Sequence, residues 1–337
     1  MNPAEVDAAR LKNSYVKTGM GKCRGGWALD VGALLLMLAV IAIVAYFAMT
    51  YKDADPYVAR MQNKLDAVAY LNEKRAEANA PPLQLIELNV AKWRAEYIIR
   101  TGHRSVYDLE GRHPGYWYTR LDGSIYGGAK EVLVWVRYPN STSPSEVNVF
   151  KAGINEALRG YWGHMLNPCY NYIAIEKKHS YERGWVVLYR VEYYVFWLVA
   201  NWIDWISPPF YEDGRFAAEG YAHPVMRPVA IVVYYSPYRG SPFVKNTYDI
   251  TAYSLGDVIF CRYLDPPSSC NNAPVLNGTV AVSKMLDSGN WHVKIDVTVQ
   301  LNKTGLYTFE LIAQDLRDQN RKCPIMQYTV EVPPKKP

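Results

Sequence analysis

Several features that would name a chemistry are missing from these 337 residues. There are only five cysteines and no Cys-x-x-Cys pair, so a zinc knuckle has no ligand set. There is no Gly-x-Ser-x-Gly and no His-Glu-x-x-His, which leaves a serine-hydrolase elbow and a zincin helix without support. Charge of one sign is not concentrated. The formal net charge of +5 is mild for the length and no basic run resembles a nucleic-acid footprint, so nucleic acid is set aside as a partner. Phenylalanine is sparse at 8 residues while tyrosine reaches 28. A tyrosine brings apolar area with a polar tip, which suits packed β-rich domains and contact surfaces.

One long apolar run is present. Residues 31–49, VGALLLMLAVIAIVAYFAM, carry no charge and have about the length that crosses a bilayer as a helix. Trp27 lies near one end and Tyr46 and Tyr51 near the other, as interface anchors would. Arg10, Lys12, Lys17, Lys22 and Arg24 precede the run. This pattern predicts a basic cytoplasmic tail (1–26), a single-pass signal anchor (27–51) and a body on the cell exterior, with the membrane as partner. A competing reading takes Arg24-Gly25-Gly26 and Asp30 as a pilin-like leader and makes the apolar helix the assembly element of a surface filament.

Beyond the run, apolar residues at Val58, Met61, Leu65, Val68 and Leu71 predict a helix over 54–77, with residues 52–70 as a stalk. Pro81-Pro82 breaks it and a second helix starts near Leu85, ended by Gly102 with His103 just after. Residues 107–126, rich in Gly, Arg and Tyr, predict a long loop holding His113 and Arg120. A strand follows at 132–136. Residues 154–160 predict a short helix, and Gly163 a tight turn that presents His164 before Pro168 stops any helix. Residues 172–175 and 185–195 predict strands, and 208–228, with Pro208-Pro209, a connection. From 229 to 333 the text is all-β, and Gly305-Leu306-Tyr307 followed by alternating strands is the style of the last strands of an immunoglobulin-like sandwich. Residues 334–337 form a tail.

Asn140, Asn277 and Asn302 each open an N-glycosylation sequon. Cys169, Cys261, Cys270 and Cys323 follow the apolar run; four such cysteines allow three pairings. The expectation is at least one disulfide among Cys261, Cys270 and Cys323, with a buried or bridged Cys169.

Two blocks resemble the CAP superfamily, the cysteine-rich secretory, antigen 5 and pathogenesis-related-1 proteins. In the first, Leu71, Asn72 and Arg75, then Pro82-Leu83, Asn89, Ala91 and Ala95, match the family's opening helices, and His103 falls where its first cleft histidine stands. In the second, Gly163, His164 and Pro168 match, with Tyr161-Trp162 in place of Ser-Pro. Glu131 takes the place of the glutamate in the family's Gly-Glu-Asn motif, with Val132 in place of the asparagine. The resemblance spans about 130 residues and implies a CAP domain over 71–207.

It implies an α-β-α sandwich of CAP type; with the apolar run before it and the all-β text after it, the expected architecture is α+β: an N-terminal transmembrane helix, the CAP-type sandwich, then the immunoglobulin-like sandwich. It implies a cleft of His103, Glu131 and His164 with a second glutamate, Glu156 or Glu146; His113 and His179 are weaker candidates. His103, His164 and Glu131 would hold a divalent metal, zinc, magnesium or calcium. The same groups would serve as acid and base, or as a structural polar network. The leading expectation is a non-enzymatic surface protein that binds a lipid or surface-protein ligand through the cleft, with self-association open. The alternatives are a metal-dependent hydrolase using the same residues and the filament subunit.

Overall fold

The computed structural model describes residues 39–42, 56–122, 125–142, 144–238, 255–264 and 273–334. The chain divides into two compact units, Met1–Val58 and Ala59–Pro337. Of the first, only the helical stretch 39–42 and residues 56–58 are described. All that follows concerns the second.

Among the described residues, four helices and twelve strands follow from Pro56: α1 (Pro56–Glu77), β1 (Gln84–Leu85), α2 (Asn89–Thr101), α3 (Pro114–Leu121), β2 (Gly128–Pro139), α4 (Glu146–Met165), β3 (Tyr172–Arg183), β4 (Leu188–Ala200), β5 (Ile203–Glu212), β6 (Arg215–Ala222), β7 (Met226–Ser236), β8 (Asp257–Tyr263), β9 (Asn277–Lys284), β10 (Trp291–Thr298), β11 (Gly305–Asp315) and β12 (Lys322–Val332). The strands form three four-stranded sheets, ordered β1-β3-β4-β2, β5-β6-β10-β9 and β12-β11-β7-β8.

In the first sheet, strand alternation sorts side chains to two faces. Val132 and Val134 join Ala67, Val68 and Leu71 of α1 and Phe150, Ile154 and Ala157 of α4 in one core. Ala129 and Leu133, one residue out of step, join Val90, Ala91, Ala95 and Ile98 of α2 and Tyr118 of α3 in another. The second and third sheets are antiparallel throughout and share a core in which Phe216 stacks on Phe309 at 4.1 Å. The Tyr307 hydroxyl accepts from Lys303 N at 2.8 Å and donates to Lys303 O at 3.0 Å, fixing the corner where β11 begins. Asp213-Gly214, both at positive φ, closes the β5–β6 hairpin with the residues such a turn favours.

Within the second unit, several contacts join the helix-flanked sheet to the two-sheet sandwich, most of them through β12. Gly128 lies so close to Pro324 that a Cβ would sit 2.1 Å from the Pro324 carbonyl oxygen, so only glycine fits there. Gln327 N donates to Tyr126 O at 3.1 Å, and Trp202 Nε1 donates to Cys169 O at 2.6 Å. A disulfide joins Cys169 to Cys323 across 154 residues.

The fold expectation is corrected. Strands outweigh helices, 45% against 26%, in three sheets; the chain is mostly β, and nothing in the arrangement identifies a CAP domain. Helices flank one sheet of the three, and strands β5 to β12 make up the other two. Residues 208–228 are not a connection but strand. Pro208 and Pro209 sit in β5, the edge strand of its sheet, where the register shifts and a missing N–H costs no ladder bond. The sandwich therefore begins at Ile203 rather than at 229.

Among the described residues, no helix is long and apolar enough to cross a membrane. The expected span at 27–51 lies outside the described residues apart from 39–42, as does the basic tail 1–26. The single-span anchor, the single-span membrane partner and the single-pass localisation are corrected on that finding and carried no further. The expected bridged Cys169 is borne out, with Cys323 as its partner. Cys261 is also disulfide-bonded, and Cys270 lies outside the described residues.

Candidate functional site

The residues expected to form a cleft occupy separate environments. Gly102, at φ 67°, caps α2 and delivers His103 into the protein. The His103 ring is buried and its Nε2–H donates to Tyr107 O at 2.8 Å. Burial pushes its pKa down, against the Tyr107 carbonyl, so the imidazole is held neutral. Glu131, buried on β2, points to the α2 face, where Arg94 Nε stands 3.2 Å from its Oε1. Burial raises its pKa and the Arg94 charge opposes the rise.

His164 stands on the other side of the sheet. The tight turn expected at Gly163 is helix: α4 runs to Met165, with one kinked residue, Tyr161, and His164 lies in its last turn. Since α4 packs on the Val132–Val134 face, His103 and His164 approach the sheet from opposite faces. Burial, and then Lys130, lower the His164 pKa. Glu156 makes a surface pair with Arg159, and Glu146 pairs with Lys177 at 2.9 Å. Among the described residues, no group of three or more His, Cys, Asp or Glu could hold a metal ion. The expected metal set of His103, Glu131 and His164 is therefore not brought together. His113, expected in a loop, is fully buried at the start of α3, and His179 is exposed.

The motif residues of the first block do structural work instead. Asn72 brackets Leu83, accepting from its N–H at 2.8 Å and donating to its carbonyl at 3.0 Å. Arg75 is completely buried and donates to the carbonyls of Pro81 (2.8 Å), Met165 (2.6 Å), Asn167 (3.2 Å) and Tyr170 (3.3 Å). Burial lowers its pKa to about 10, and the four carbonyls are what make a buried guanidinium tolerable. Asp122 caps α2 from outside, accepting from the N–H groups of Asn89 and Val90, each at 2.8 Å.

A cleft of about 780 Å³ opens elsewhere, at the seam between α3 and β12. Pro114 at the first turn starts α3 within the stretch expected to be loop. The helix presents Tyr116, Thr119 and Arg120; Tyr126 follows from the next segment, Tyr211 from β5, and Tyr328 and Glu331 from β12. Tyr126 and Tyr328 lie with ring centroids 5.9 Å apart, tilted by 50°. Tyr211 is held by its hydroxyl donating to Val299 O at 2.9 Å. Glu331 accepts from Arg112 Nε at 2.6 Å and Tyr238 OH at 2.7 Å; these donors hold its pKa below the usual carboxylate range although burial opposes them. Its charge is thus answered within the protein. Arg120 is exposed at the cleft and makes no ion pair among the described residues. The open charge of the cleft is therefore positive.

Residues 107–126 are rich in glycine, arginine and tyrosine, but Tyr211 and Tyr328, far along the chain, close the same space only in the fold. No protein-family model matches the sequence, and no curated protein matches it.

Proposed function

We propose that the chain is a non-catalytic binding module whose ligand lies in the tyrosine-lined cleft. The CAP resemblance suggested ligand binding, and this reading keeps that suggestion with the site moved from the histidines to the seam. The observation that carries it is the combination of four tyrosines with one unanswered cation, Arg120, in a space of about 780 Å³. Clefts between packed units are where ligands are commonly held. Phenol rings offer flat apolar faces that pack against the C–H faces of a sugar. A guanidinium matches a carboxylate in two-pronged fashion. The ligand class that fits is an acidic saccharide. The hydrolase reading has no matching observation, because its residues are not gathered.

Calorimetry on the full chain tests this, with an oligogalacturonide as probe, a neutral oligoglucoside of the same length, and a short acidic peptide. The reading expects saturable binding of the first, weaker binding of the second, and weakening of the first by Arg120→Ala. Binding of the peptide alone, or equal binding by the Arg120→Ala variant, contradicts it.

A further inference from the structure

The β3–β4 hairpin ends in an apolar tip that stands exposed among the described residues. Gly184 N donates to Val187 O at 2.9 Å, closing a turn whose two central residues are Trp185 and Val186. Neither residue is at positive φ, so this turn makes no demand for glycine, asparagine or aspartate, unlike Asp213-Gly214. Trp185 and Val186 are 106% and 94% exposed, and Tyr181, Val187 and Leu188 around them are exposed as well. A contiguous apolar cap of this kind marks a contact surface rather than chance exposure.

The charges behind the tip say what it meets. Glu182 is answered by Arg104 and Arg137, and the buried Glu192 by Lys177 and Arg190. Arg183, next to the turn, is exposed and makes no ion pair among the described residues. An indole with aliphatic neighbours and an adjacent free guanidinium matches the boundary of an anionic lipid surface: ring and aliphatics at the acyl edge, cation among headgroups. The geometry points to a peripheral lipid contact made by the Trp185-Val186 tip. It requires no spanning helix and is independent of the cleft.

Collisional quenching by brominated lipid tests it on the full chain. Vesicles of phosphatidylcholine with phosphatidylglycerol, brominated on the acyl chains, are compared with vesicles of phosphatidylcholine alone. The chain has ten tryptophans, so the Trp185→Phe variant isolates the signal of interest. The expected result is quenching with anionic vesicles that falls by more than half in Trp185→Phe and is largely lost in Arg183→Glu. Quenching unchanged in Trp185→Phe overturns the proposal, as does quenching equal on both vesicle types. Self-association without lipid that Trp185→Ser abolishes also overturns it, by assigning the tip to a second copy of the chain. Circular dichroism of each variant confirms the fold, and a tip-borne substitution leaves the core untouched.

Discussion

Arg94 and Glu131 face each other across the α2 side of the first sheet, Nε to Oε1 at 3.2 Å, both buried. The contact explains Glu131 without a ligand: its carboxylate balances a guanidinium that also donates to Ser105 O. Removing one partner of such a pair strands the other. Arg94→Ala is expected to cost roughly 3–5 kcal/mol, and Arg94→Met with Glu131→Leu to cost much less than that. Chemical denaturation of the single and double variants checks it. A double variant as unstable as the single would show that the pair is more than mutual neutralisation.

Arg75 ties α1 to the chain after α4 by donating to Met165, Asn167 and Tyr170. Arg75→Met leaves four buried carbonyls short of a donor, a loss of roughly 2–4 kcal/mol. The amides of residues 165–170 should exchange with solvent faster in this variant than elsewhere in the fold. Uniform acceleration would show a global effect instead.

The Cys169–Cys323 bridge closes a loop of 154 residues between the two parts. Cys323→Ser should lower stability by roughly 2–5 kcal/mol, because the unfolded chain regains the freedom that the bridge removes. Thermal unfolding with and without the substitution measures this; an unchanged midpoint would mean that the seam is fixed by packing alone.

Two buried groups at the seam give stability a pH dependence of opposite signs. His113 has its pKa pushed down to about 3 by burial, with Lys130 adding to the shift, so its contribution is full above its ordinary 6.5 and is lost as pH falls toward 3. Glu310 has its pKa raised to about 7 by burial, against Tyr234 and Lys130, so its contribution is full below its ordinary 4.5 and is lost as pH rises through 7. From that 2.5-unit shift, the Glu310 loss is on the order of 3 kcal/mol. Glu310→Gln should therefore flatten the decline between pH 5 and 8 and leave the acid limb in place. A decline unchanged in Glu310→Gln would assign it to other groups.

Local signals in the sequence were legible where one residue settles the backbone. Gly102 ended α2, and residues 56–77 formed the helix that their apolar spacing predicted, closed by Asn79 at φ 56° before the Pro81-Pro82 pair. Signals failed where the third dimension decides. Val58 and Leu65, on the apparent apolar stripe of α1, are exposed, while Lys64 is buried against Glu176 at 2.7 Å. A charge with a distant partner looks like solvated surface until that partner is placed. Residues 185–195 read as one strand because Trp185, Val186 and Val187 are strand-formers, yet those three make a turn. His103 and His164 read as a pair from their neighbours, but strand parity sends their helices to opposite faces. The cleft escaped altogether, since Tyr126, Tyr211 and Tyr328 belong to different parts of the chain and meet only at the seam.

The most direct test of the account sets the two sites against each other. Oligogalacturonide affinity is measured by calorimetry for the full chain, for Tyr126→Ala with Tyr328→Ala, and for His103→Ala with His164→Ala, each checked for folding. Loss of two stacking rings should weaken binding about tenfold or more. The account predicts that loss for the tyrosine variant and an unchanged affinity for the histidine variant. An affinity that survives the tyrosine changes and disappears with the histidines would contradict it.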